Sequence, residues 1–221
     1  MRIPHDRTNR PDGALTGHPA ALCGLRLVPG YLDREAQESV LAAVREVIAR
    51  APLYTPRMPK SGKPMSVRMT NCGTLGWMTD ERGYRYQPTH PENRRALAAD
   101  PRLPVAGVDG VGGLCACAGS LPGERLWPGG PHGLAPGSRR GRLGGTGGVA
   151  VAGDACLFRI GGPQRQGPTR SFRLASGDGL VLGGQARLAF HGVDRILPGT
   201  STLLAEGGRI NLTLRRVTGA T

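Results

Sequence analysis

Arg209 and Arg215, two arginines near the C-terminus on one face of an extended segment, are residues that could capture a small carboxylate, and Asn211 lies between them. In the segment RINLTLRRV extended side chains alternate. Arg209, Asn211, Thr213 and Arg215 then face one way, and Ile210, Leu212 and Leu214 the other. The apolar face packs a core, and the polar face lines solvent or a cavity. The planar donor fork of arginine matches the two oxygens of a carboxylate. Taken alone, a basic edge strand is the commoner reading of such a pattern. A second candidate is His191 in RLAFHGV, although a lone histidine on an apolar strand is usually a packed core residue. A third group is Trp77, Tyr84 and Tyr86 in MSVRMTNCGTLGWMTDERGYRYQP. Aromatic faces stack on nucleobases, and Arg68, Arg82 and Arg85 suit phosphate. Ordinary core aromatics would look similar. However, the chain is only 4% aromatic, and their clustering in one loop-rich stretch favours function.

The elements that must position these residues are partly legible. Residues 1–22 are rich in Pro, Gly and polar residues and read as a loose tail. GLRLVPGYLD reads as a short strand and turn. Asp33 can cap a helix running to about Arg50, with Ala36, Val40, Leu41, Val44, Val47 and Ile48 forming one apolar stripe. Residues 51–90 are loops and strands. From about residue 170, SFRLA, GLVL, RLAFHGV and RINLTLRRV are short strands broken by glycine turns, the pattern of an antiparallel sandwich or barrel.

Composition narrows the partners. The chain has 221 residues, enough for one globular domain with a lid, and a formal net charge of +13. That balance favours a polyanionic partner, and nucleic acid is the usual one. Cys23, Cys72, Cys115, Cys117 and Cys156 are irregularly spaced and lack zinc-site or CxxC spacing, as expected of reduced thiols in a cytoplasmic protein. The N-terminus has no apolar signal region and no stretch approaches a membrane span.

The middle is anomalous. Residues 104–153 hold 16 of the 36 glycines. PVAGVDGVGGLCACAG and RRGRLGGTGGVAVAG match no helix or strand template. The plain reading is a low-complexity linker, although so long an insert inside a compact domain is unusual.

R-x-N-L-T-x-R near the C-terminus resembles the signature of the AlkB-type Fe(II)/2-oxoglutarate-dependent dioxygenases, which oxidatively remove alkyl lesions from nucleic-acid bases. The resemblance implies that Arg209, Asn211 and Arg215 bind 2-oxoglutarate and that His191 is the second iron-binding histidine. It also implies that Met65, Trp77, Tyr84 and Tyr86 lie in a nucleotide-recognition lid, and that Arg165 contacts substrate. It covers roughly residues 55–90 and 155–217. Where the family often has Trp before a Gly-Gly pair, this chain has Leu182, a change expected to affect packing only.

The family supplies its other two iron ligands from an H-x-D motif, giving two histidines and one carboxylate on one face of the metal. No H-x-D occurs in this chain. His132 stands at nearly the right distance but is followed by Gly133 and Leu134, and is read as a decoy. The genetic code offers an explanation. Reading one base forward across Glu124 to Asp154, the visible residues permit N-x-Y-G-P-G-A-R-M-G-L-H-Q-D-R-D-E-A-D-L-A-A-P-V-V-S-L-S-L-G. That string carries the family's N-x-Y, P-G-A, iron and strand elements in order. The central segment therefore looks frame-shifted, with normal family text resuming near Cys156.

The expected architecture is mainly β with N-terminal helices (α+β): a double-stranded β-helix, or jelly roll, with a nucleotide-recognition lid and a disturbed centre. Its expected parts are a tail (1–22), the helix and lid (23–103), an anomalous segment replacing the first half of the catalytic core (104–154) and the second half of that core (155–221). The implied function is oxidative dealkylation of single- or double-stranded DNA, or of RNA, by a monomer. Fe(II) and 2-oxoglutarate activate O₂, the alkyl group is hydroxylated, and the product collapses to free base and aldehyde with release of succinate and CO₂. Bases are presented by flipping or from single strands. Lacking H-x-D, the literal chain is expected to bind iron poorly. The alternatives are a non-catalytic, basic nucleic-acid-binding remnant and a 2-oxoglutarate oxygenase acting on RNA or protein, against the last of which the lid argues.

Overall fold

The computed structural model describes residues 24–99, 114–118, 147–164 and 166–214. The strands are β1 (Leu25–Val28), β2 (Arg68–Cys72), β3 (Gly76–Asp80), β4 (Gly83–Gln87), β5 (Leu114–Ala118), β6 (Gly147–Gly153), β7 (Ala155–Ile160), β8 (Arg170–Leu174), β9 (Gly179–Leu182), β10 (His191–Leu197) and β11 (Arg209–Leu214), with one α-helix, α1 (Arg34–Arg50). Six strands form an antiparallel sheet in the order β1-β9-β6-β11-β5-β2, three form a second sheet in the order β10-β7-β8, and β3-β4 is a separate hairpin. This is the expected mainly-β, jelly-roll arrangement, with one α-helix among the described residues where helices in the plural were expected.

The helix follows from its sequence. The Asp33 carboxylate accepts the Ala36 backbone N–H at 2.8 Å, satisfying a donor that the first turn leaves unpaired. Val40, Leu41, Val44 and Val47 are buried and pack with Ala150, Ala152, Ile210, Leu212 and Leu214. The helix therefore covers one face of the six-stranded sheet. On the other face Val151, Leu180 and Leu182 meet Cys156, Phe158, Ile160 and Leu174 of the second sheet in a separate core. Leu182 is thus a packing residue between the sheets.

Two expectations are corrected. RLAFHGV is not one strand: Gly184–Leu188 is a 3-10 turn and β10 begins at His191. Gly184 takes φ +46°, and the methyl-sized Ala186 and Ala189 bury completely under the turn. The glycine-rich middle, for its part, holds two interior strands. β5 pairs with both β11 and β2, and β6 with both β11 and β9. Ladder hydrogen bonds on both edges stabilise these strands whatever their side chains. Within β6 the alternation is present but muted: Val149 and Val151 turn to the inter-sheet core, and Ala150 and Ala152 to the helix. At the end of β6 the chain passes to the second sheet through Gly153, φ +92°, where a Cβ would run into the Gly208 carbonyl.

Candidate active site

Arg209 opens β11 in the middle of the larger sheet. It registers with Gly153, and Asn211 with Val151. Directly opposed residues share a face, so Arg209 and Asn211 point between the sheets with Val151. Ile210, Leu212 and Leu214 point to the helix, as the alternation requires. Arg209 is 0% exposed. Its Nε donates to Asn211 Oδ1 at 2.8 Å, and its Nη1 to the main-chain oxygens of Asp154 at 2.7 Å and Leu174 at 3.4 Å. Its Nη2 is buried without a hydrogen-bond partner among the described residues.

Burial lowers the pKa of this guanidinium from its ordinary value, with Cys156, Asp178 and Asp154 acting in the opposite direction. The Asp154 carboxylate is already committed, accepting the backbone N–H groups of Thr200, Ser201 and Gly208. A buried cation with an unmet donor is costly, and an incoming carboxylate meets both needs. This orphaned donor fits the co-substrate 2-oxoglutarate.

His191 approaches the same interior from the second sheet. It registers with Ile160, and its ring stacks on Phe158 at 5.9 Å between centroids and 26° between planes. The Nδ1–H donated to the Ala189 carbonyl, 2.8 Å away, places the ring's lone pair on Nε2. A histidine oriented through its other nitrogen in this way is suited to hold a metal. The register shifts between Val193 and Arg195, and Asp194 at that irregularity pairs with Arg159 at 2.7 Å.

The hairpin β3-β4 carries the aromatic group. Trp77 stacks on Tyr84 at 5.7 Å and 26°, and Tyr84 is 54% exposed. Trp77 also registers with Tyr86. Beneath Trp77 lie Met69 and Tyr54, both buried. Met65 is half-buried and lies outside that cluster. Arg85 is engaged bidentately by Asp80, Arg68 donates to the Leu53 carbonyl, and Arg82 is exposed at the hairpin tip. Sequence reasoning overlooked Tyr54, Met69 and Asn71, which underlie Trp77. The available signal was alternation, since Met69 and Asn71 lie two apart on a strand ending at the lid.

The structure therefore brings Arg209, Asn211 and His191 to one interior, and Trp77, Tyr84 and Tyr86 to one hairpin. Arg165, Arg215 and the decoy His132 lie outside the described residues. Among the described residues no group of three or more His, Cys, Asp or Glu converges on a metal position. Of the residues expected to bind iron, His191 is the one that lies among the described residues, and the unmet Arg209 donor fits the carboxylate of 2-oxoglutarate.

Comparison with known proteins agrees with the geometry. A model of the 2OG-Fe(II) oxygenase superfamily matches residues 24–106 and 151–215. The chain is 46% identical over 197 residues to an alpha-ketoglutarate-dependent dioxygenase AlkB homolog of Caulobacter vibrioides, covering 87% of each. It is 29% identical to the Escherichia coli alpha-ketoglutarate-dependent dioxygenase AlkB over 192 residues, covering 82% of this chain and 85% of that one. A shorter match, 39% over 69 residues, is to an Arabidopsis thaliana DNA N(6)-methyladenine demethylase, covering 28% of this chain and 16% of that one. The solved structure of OsALKBH1 superposes with a TM-score of 0.70 at 22% identity, covering 88% of this chain and 97% of that one, and shows the shared fold.

Proposed function

We propose that this chain, which belongs to the 2OG-Fe(II) oxygenase superfamily and within it to the AlkB-type dioxygenases, is built for Fe(II)/2-oxoglutarate-dependent dealkylation of nucleic-acid bases, with its iron site incomplete in the polypeptide as written. The observation that carries the reading is the fully buried Arg209, whose Nη2 lacks a partner and whose Nε is tied to Asn211. In an intact member, iron and 2-oxoglutarate supply the oxidant for the alkyl group. The described residues of this chain have other tasks: Arg209 and Asn211 hold the co-substrate carboxylate, His191 presents a ring nitrogen, and the Trp77–Tyr84 pair offers an aromatic face to an unstacked base.

The substrate class draws support from the lid, from the net charge of +13, and from the Arabidopsis relative named as a DNA demethylase. On the finer reading a monomer acts on alkylated single- or double-stranded DNA, or on RNA, and Arg215, Met65, Tyr86 and Arg165 complete the site. Cys156, a buried cysteine outside any disulfide, supports a reducing compartment such as the cytoplasm.

Two features support impairment by a shifted reading frame. The chain contains no H-x-D, and the family match passes over residues 107–150. The test is to sequence the coding DNA across residues 101–156 and to compare succinate release by the literal polypeptide and by a version recoded in the forward-shifted frame, each with methylated DNA. The recoded protein is expected to turn over and the literal one to release little or none. Iron-stimulated turnover by the literal chain at an ordinary rate sinks the impairment. The missing motif also favours a second reading, a non-catalytic nucleic-acid-binding remnant. It predicts salt-dependent DNA binding by the chain without metal-dependent turnover.

A further inference from the structure

The six-stranded sheet ends at β2, and the lid hairpin begins four residues later at Gly76. One buried side chain joins them. Asn71 is 3% exposed, and its Nδ2 donates to the Trp77 carbonyl at 2.9 Å and to the Tyr54 hydroxyl at 3.3 Å. Tyr54 Oη in turn donates to the same carbonyl at 3.3 Å. The two acceptors fix the orientation of the amide, with Oδ1 on the side away from both and without a partner. The main chain is equally constrained. A Cβ on Gly76 would stand 2.6 Å from Asn71 Cβ and 2.8 Å from Leu97 Cδ1, so the hairpin rests directly on the asparagine. Register places this seat on the co-substrate side of the sheet. Across β5, Met69 aligns with Asn211, and Asn71 with Thr213.

We infer that Asn71 is the positioning residue of the lid: by pinning the Trp77 main chain against the sheet it sets the plane of the Trp77–Tyr84 stack, and so the preference for an alkylated over an unmodified base. This rests on the reading of the hairpin as the base-binding lid. The physical argument is a difference in lever. Phosphate contacts are made by flexible arginines and tolerate a tilted hairpin, whereas stacking falls away as the ring planes diverge. A carboxylate at position 71 has no proton to give the Trp77 carbonyl, and it draws the Tyr54 hydroxyl proton away from that carbonyl to itself, so the hairpin lifts from its seat.

The experiment measures binding of the full chain to two single-stranded oligonucleotides by fluorescence anisotropy, one carrying a single N-methylated adenine and one unmodified. The wild type is expected to prefer the methylated strand. Asn71→Asp should lose most of that preference, about tenfold if one base's stacking is forfeited, while its affinity for the unmodified strand stays within about twofold. Gly76→Ala, which keeps every hydrogen-bonding group but displaces the hairpin, should reproduce the loss and guards against an Asn71 variant that fails to fold. Tyr54→Phe should fall between. Variants that fold and retain the preference overturn the role of Asn71 while leaving the lid reading intact. A wild type with no preference overturns the lid reading and this inference together. Equal loss of affinity for both strands shows a merely structural residue and also overturns it.

Discussion

Arg209 and Asn211, two residues apart on β11, are locked to each other: the guanidinium Nε donates to the amide Oδ1 at 2.8 Å, leaving Nη2 as the buried donor with nothing to bind. The asparagine therefore determines which edge of the guanidinium remains available. Substitution of Arg209 by Lys keeps the charge but loses the fork. Addition of 2-oxoglutarate should raise the melting temperature of the wild type and leave Arg209→Lys almost unshifted in the same scan. An equal shift in both would remove Arg209 from the co-substrate site.

Asn211→Ala tests the same pair from the other side. It strands the Arg209 Nε in the interior, and an orphaned buried donor costs about 1–3 kcal/mol. Chemical denaturation should show that loss with the m-value unchanged. Thr213→Ala, one step further along the same face and half-buried, should cost clearly less. If the two variants are equally stable, the Arg209–Asn211 bond is not the stabilising contact inferred from its geometry.

The lid has its own pH dependence. The side-chain hydrogen bond from Arg85 holds the Asp80 carboxyl below its ordinary value of 3.8. A carboxyl with a depressed folded pKa contributes stability above its unfolded pKa and loses it as pH falls through the folded value. The pair is partly exposed, so the effect is modest and screened by salt. Wild type and Asp80→Asn should therefore differ in hairpin protection, read by amide exchange, at neutral pH. The difference should close as pH falls below about 3.8, and high salt should narrow it. A difference that persists in strong acid would assign the effect to something other than this ion pair.

Legibility in the sequence tracked how much of each element's stability is encoded locally. Helix α1 carries its own cap and stripe, and β11 its own alternation, so both followed from the residues. The interior strands β5 and β6 do not: glycines and alanines form them because β2, β9 and β11 supply partners on both edges, which is information held far along the chain. The 3-10 turn at Gly184–Leu188 was hidden for the related reason that Ala186 and Ala189 look strand-compatible until their burial is known. In the site, Arg209 and His191 were picked out by the family resemblance, since residue type alone favoured a basic edge strand and a packed core histidine. Asn71 and Met69 were not, because their roles come from what folds over them.

Cys156 gives a test of the inter-sheet core that is independent of catalysis. Its thiol is fully buried among Phe158, Leu174 and Leu180 near Arg209. Burial raises its pKa above the ordinary 9.0, against a smaller opposing pull from the Arg209 guanidinium. A thiolate is the reactive form, so the native thiol should be inert to a disulfide reagent at pH 8 and react only at the rate of unfolding. The same shift makes a stability prediction. Because the unfolded chain ionises first, the thiol's contribution is complete below pH 9.0 and is lost as pH rises from there through the folded value. The wild type should lose stability more steeply than Cys156→Ala across that alkaline range. Parallel curves, or fast native labelling of a variant retaining Cys156 as its sole cysteine, would show that the two sheets do not close over this position.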